Sequence, residues 1–297
     1  MQAPTPPPEG FFPKVTYYLS KLRVRVMFYY RRMNPPITKE RQGEVHVHLR
    51  DVSEPDFAYF VLVVLSSAIA TFGLLIDSAA TIIGAMLVAP LMSPILGIGL
   101  ASVKGDTKLL RYAFSAVLRG ALIAVVLAFI LTWINTHLPF ISFTELPAEV
   151  LSRTRPTPID LFIALAGGLA AAFALVQPDL SAAMPGVAIA TALMPPLCVI
   201  GICLASGDYG RAMGAFMLFI TNAVAIAGSS IIVYYLSGFN PPRREQEEGL
   251  PRSLMISAVL TAVLLGTLIF QSYMFVQQAS QSTTISNAIE NAVQELT

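Results

Sequence analysis

Charge is what this chain has least of: only 12% of its 297 residues are Asp, Glu, Lys or Arg. So thin a supply cannot clothe a soluble domain in polar surface. With 55% hydrophobic residues and a mean hydropathy of +0.66, the composition points to a polytopic membrane protein. Cysteine is almost missing too. Cys198 and Cys203 both sit in apolar sequence and read as small buried residues rather than a disulfide. There is no nucleotide-binding loop, no His/Cys/Asp metal spacing and no nucleophile beside a base, so no enzyme, cofactor or metal is expected. The formal charge of +1 points to no partner, and no nucleic acid is expected. The first long apolar run begins only near Phe57, so no leader peptide is expected either.

What the chain does have, it has twice. Gly84–Asp106 reads GAMLVAPLMSPILGIGLASVKGD, and Gly186–Asp208 reads GVAIATALMPPLCVIGICLASGD. Leu91-Met92 matches Leu193-Met194, Pro94 matches Pro196, Gly99 matches Gly201, and Gly105-Asp106 matches Gly207-Asp208. The register, 102 residues from 84 to 186, also sets Asp77 on Asp179 and Phe114 on Phe216.

Residues 1–55 form a basic cytoplasmic or interfacial region. Its first stretch, MQAPTPPPEG, is Pro-rich and reads as disordered. Over 11–33, Phe12, Val15, Leu19, Leu22, Val26, Tyr30 and Met33 recur at helical spacing among Lys14, Lys21, Arg23, Arg25, Arg31 and Arg32. The pattern fits a basic helix on an anionic membrane surface, or equally a helix packed on its own protein. Pro35-Pro36 ends it. Val45–Leu49 (VHVHL) alternates like a short strand, placing His46 and His48 on one face as a metal pair or a solvated edge. Seven apolar spans follow, near 57–76, 79–103, 107–135, 158–177, 180–205, 208–237 and 251–277. They divide into membrane repeat 1 (56–136), an extracytoplasmic loop (137–157), membrane repeat 2 (158–237), a cytoplasmic loop (238–250), a seventh helix (251–277) and an extracytoplasmic tail (278–297).

Nine Lys and Arg residues precede the first span, and Lys104, Lys108 and Arg111 flank the link between spans two and three. Arg243, Arg244 and Arg252 mark the link between six and seven, while the tail has Glu290 and Glu295 and no Lys or Arg after the last span. The positive-inside bias therefore predicts a cytoplasmic N-terminus, an extracytoplasmic C-terminus and a plasma-membrane location. A three-crossing repeat reverses direction on its second appearance, so the two halves are expected to be inverted.

The candidate site follows from the repeat. Pro90 and Pro94 in one middle span, and Pro195 and Pro196 in the other, lack an N–H and clash with the preceding turn. Broken spans of this kind aim half-helix dipoles at a solute; the alternative is a kinked but continuous helix. Met86, Ser93, Thr191 and Asn222 join the candidate set. Asp77 and Asp179 read as helix caps, or as coupling-ion or substrate ligands. Arg119 lies inside apolar sequence, with Thr221 at its equivalent position. It is expected to pair with Asp179, or to face headgroups or another subunit. Small residues in span four (Ala164, Gly167, Gly168, Ala171) and Gly210/Gly214 in span six suit close packing or a homo-oligomer.

The stretch Ser66–Asp106, with its IGAM-x-x-x-PLM-x-P core over Ile83–Pro94, resembles the hydrophobic-domain membrane family catalogued as domain of unknown function 389. The resemblance implies a prokaryotic integral membrane protein and supplies no activity.

The fold expected is thus all-α and polytopic, with about seven transmembrane helices in two inverted three-helix repeats with broken middle helices, plus one extra C-terminal helix. The function expected is a secondary transporter or channel for a small solute or ion, preferably an anion or zwitterion. The alternative is an oligomeric scaffold or sensor whose basic N-terminal region binds lipid, nucleotide or a partner.

Overall fold

The computed structural model describes residues 37–138, 146–177, 180, 193–239 and 266. The described secondary structure is all helical, with no strand. Its helices are α1 (Lys39–Ser53), α2 (Phe57–Leu75), α3 (Ala79–Val88), α4 (Met92–Lys104), α5 (Thr107–His137), α6 (Ala148–Leu151), α7 (Pro158–Val176), α8 (Met194–Ala205) and α9 (Tyr209–Leu236). Four of these, α2, α5, α7 and α9, are long and apolar enough to cross a membrane. The pair α3 and α4, bent by 49° at its break, makes a fifth candidate. Apart from Gly266, the seventh span lies outside the described residues, as do Asp179, Thr191 and the basic stretch from Lys14 to Arg32.

The expected strand at Val45–Leu49 is instead the middle of α1. Alternation misled because Val45 and Leu49 are also four residues apart. With Ser53 they form one buried stripe of a helix, which Thr38 starts by accepting from the Arg41 N–H. On a helix, residues two apart point to different sides. His46 and His48 therefore share no face, and among the described residues no group of three potential metal ligands exists.

Helix α1 lies where other helices end. Arg41 donates to the carbonyls of Leu175 (3.1 Å) and Val176 (3.3 Å), the last residues of α7. Gln42 donates to the Gly238 carbonyl (3.4 Å), just past α9, and His46 meets Asp106 (3.3 Å) between α4 and α5. So α4, α7 and α9 finish at α1, while α2 and α5 begin there. Helices α2 and α5 run side by side in parallel: the Tyr59 hydroxyl donates to the Ala116 carbonyl (2.7 Å) and the Ser67 hydroxyl to the Ala124 carbonyl (3.1 Å). Because α9 finishes at α1 and directly follows α8, α8 runs away from α1. Each of α2, α4 and α5 thus runs opposite to the helix 102 residues later.

The turns repeat as well. Gly105 (φ 68°) and Gly207 (φ 75°) take the left-handed conformation that stops α4 and α8. In both, the following Asp N–H reaches back to a helix carbonyl, Asp106 to Ala101 at 3.0 Å and Asp208 to Cys203 at 2.9 Å. The same Asp then caps the next helix with its side chain. Backbone donation from Arg211 holds the Asp208 carboxyl below its ordinary range.

Helix contacts trade between halves in the same register. A Cβ built on Gly99 of α4 would collide with the Ser230 hydroxyl and approach the Ala227 carbonyl (3.0 Å) on α9. One built on Gly201 of α8 would collide with the Val125 carbonyl and stand 2.7 Å from both the Ala128 Cβ and the Phe129 nitrogen on α5. Val125 and Ala128 lie 102 residues before Ala227 and Ser230. Glycine here lets backbones approach where any side chain would hold them apart.

Candidate functional site

Pro90 ends α3. Its ring disfavours helical backbone at the preceding residue, and Ala89 is extended (φ −66°, ψ 120°). The chain restarts at Met92, with Leu91 as N-cap and no side-chain cap hydrogen bond. Helix α8 restarts the same way at Met194 behind Leu193, again without a side-chain cap. Pro94 sits in the first turn of α4, and Pro195 and Pro196 in the first turn of α8. First-turn prolines are tolerated because their missing N–H would have had no intrahelical partner, so they reduce the donors a buried helix start must satisfy.

Both starts are enclosed: Leu91, Met92, Leu193, Met194, Pro195 and Pro196 are buried. Leu91 lies against Gly120 of α5, where a Cβ would come within 2.9 Å of it. Gly120 is nine residues beyond Arg111, or about 14 Å along the helix. Trp133 lies thirteen residues, about 20 Å, beyond Gly120, so the break meets α5 part-way along its length.

Of the sequence candidates, Met86, Pro90, Ser93 and Pro94 line the two sides of the break, and α8, carrying Pro195 and Pro196, packs on α3. Asn222 is buried on α9. Arg119 is not brought in: it shares the depth of the break but lies on the exposed face of α5. Asp77 is also exposed and is not the cap of α3; Ser78 is, accepting from the Thr81 N–H (3.4 Å). Asp77 instead adopts a left-handed turn (φ 58°) that stops α2, and its carboxylate accepts the Glu149 N–H (2.7 Å) at the start of α6. It therefore ties the loop before α7 to the far end of α2. The Arg119–Asp179 pair lies outside the described residues through Asp179.

Sequence reasoning missed two features. Buried hydroxyls on α2 face α8: Ser67 meets the Cys198 thiol (3.6 Å), and the thiol reaches the Ser67 carbonyl (3.7 Å). Ser66 and Thr71 are buried on the same helix. The doublet Ser66-Ser67 in an otherwise apolar span was the available signal. The second feature is the α1 clamp. No local pattern marks it, because Arg41 acts on carbonyls about 135 residues away.

Within that clamp, burial, aided by the Lys104 ammonium, holds the His46 imidazole below its ordinary 6.5 against the pull of Asp106. The fold therefore favours neutral His46. Its contribution to stability is full above about pH 6.5 and is lost as pH falls below that value. Thermal unfolding in detergent should show the melting temperature falling from pH 7.5 to 5, with a shallower fall in His46→Gln. A variant slope equal to or steeper than wild type would contradict this.

Residues 86–227 match the family model described as "Domain of unknown function (DUF389)". Over 245 residues the chain is 28% identical to an uncharacterized protein of the archaeon Methanocaldococcus jannaschii, covering 80% of this chain and 74% of that protein. No solved structure matches. The residues similar to this family include the break, both Gly-Asp turns, and Gly99 and Gly201.

Proposed function

We propose that this protein is a non-enzymatic membrane transporter or channel for a small solute or ion, held between two inverted three-helix repeats near the bilayer midplane. One observation carries the reading: a candidate span bent by 49° at its break, with the start of its second half buried and without a side-chain cap. A helix start offers a partial positive charge, and interrupted spans are the usual place where transporters put such ends against a solute. The second half-helix, α8, starts in the same way. The reversed direction of matched helices and the matched glycine contacts support the inversion.

In this reading the preferred solute is an anion or zwitterion, bound mainly by backbone dipoles and by hydroxyls such as Ser67. The α1 end faces the cytoplasm and the seventh helix completes an odd number of crossings. The test is flux in proteoliposomes, with a panel of inorganic anions, amino acids and small carboxylates set against empty liposomes. Protein-dependent uptake of at least one class is expected. Absence of flux across the panel favours a scaffold.

A further inference from the structure

We propose that the outward face of α5 bearing Lys108, Arg111, Ser115 and Arg119 is a binding site for an anionic phospholipid headgroup in the leaflet on the α1 side. This face is independent of the transport reading. The four residues are spaced by three, four and four positions, so they align on one helix face over about 17 Å. Lys108, Arg111 and Arg119 are exposed and Ser115 is half-buried between them. The flanking surface is apolar: Phe114, Leu118 and Leu122 are each about three-fifths exposed (61%, 60% and 63%). Helix α5 buries only 22% of its most apolar window, against 50% or more for α2, α7 and α9. This is a membrane-facing surface, and Arg119 stands eight residues, about 12 Å, deeper than Arg111.

A guanidinium at that depth needs an anion or a path to the interface. Cα–Cβ bonds lean toward the helix N-terminus, and α5 begins at α1, so Arg119 leans toward the headgroups on that side. No described span provides a carboxylate at its level. The one acid within them, Asp160, lies in the first turn of α7, at the end away from α1. The seventh span, 251–277, contains no Asp or Glu. Among the described spans and the seventh, a second copy therefore offers Arg119 no countercharge, whereas a phospholipid phosphate does. With Lys108 and Arg111 above it, Arg119 completes a basic ladder for the phosphodiester of an anionic lipid that brings no ammonium of its own.

Lipid binding to the full-length protein is read by native mass spectrometry and thermal shift, comparing phosphatidylglycerol or cardiolipin with phosphatidylcholine. The anionic lipids should bind preferentially and raise the melting temperature. Arg119→Ala should weaken phosphatidylglycerol binding by about fivefold and leave phosphatidylcholine binding unchanged. Arg119→Lys should keep most of the preference, and Arg111→Ala, a second exposed variant, should lower it independently. Equal binding of the two lipid classes by wild type would overturn the proposal. So would an Arg119→Ala variant that keeps its anionic preference but changes oligomeric mass, which would make the face a contact between copies. None of these readouts depends on solute flux.

Discussion

Gly201→Ala should destabilise the protein by about 1–3 kcal/mol or more, the cost of forcing extra volume into a packed interior. The new methyl would collide with the Val125 carbonyl and meet the Ala128 Cβ and the Phe129 nitrogen at 2.7 Å. Two of those three are backbone atoms of α5, which no side-chain rotation can move. The matched substitution behaves differently. At Gly99 the main obstacle is the Ser230 hydroxyl, with the Ala227 carbonyl at 3.0 Å and the Ser230 Cβ at 3.1 Å. Gly99→Ala should therefore be substantially rescued by Ser230→Ala, whereas Ala128→Gly should rescue Gly201→Ala only slightly. Melting temperature and the monodisperse fraction after detergent extraction check both. Full tolerance of Gly201→Ala would show that α8 and α5 do not approach as described.

Straightening the broken span should do the reverse: improve the helix and weaken the proposed transport. Pro90 stops α3, and the ring of Pro94 would clash with the Pro90 carbonyl if the helix continued. An interior proline costs a helix about 3 kcal/mol relative to alanine, so Pro90→Ala/Pro94→Ala removes the barrier to a continuous rod from Ala79 to Lys104. The buried start of α4 would then be consumed by intrahelical bonding, taking its partial charge with it. Flux per folded protein should fall by about tenfold or more, equivalent to about 1.4 kcal/mol of lost stabilisation, while the melting temperature holds or rises. Flux equal to wild type would dissociate transport from the break.

The sequence made the spans legible because long apolar runs with Gly-Asp and Asp/Ser/Thr starts leave little freedom. The expected 57–76, 158–177 and 208–237 stand as Phe57–Leu75, Pro158–Val176 and Tyr209–Leu236. The break at Pro90 was legible for the same reason, since proline imposes its constraint locally. Side-chain direction was less legible. VHVHL carries both a period of two and an i, i+4 pair, and only the long-range docking of α1 on the ends of α4, α7 and α9 decides between them. Asp77 looked like a cap because Asp caps well. The turn needed a left-handed residue, Ser78 took the cap, and the Asp77 carboxylate was drawn to Glu149, 72 residues on. The position of Arg119 along α5 was legible, but its exposed face depends on which neighbours surround α5, and a linear sequence does not encode that.

The proposed inversion of the two halves is tested most directly by sided labelling of matched positions. Thr107 and Tyr209 are 102 residues apart, both open their helices, and both are exposed. With Cys198 and Cys203 replaced by alanine, a membrane-impermeant maleimide should label Thr107→Cys only from the cytoplasmic side of oriented vesicles and Tyr209→Cys only from the other. Labelling of both from one side would contradict the account.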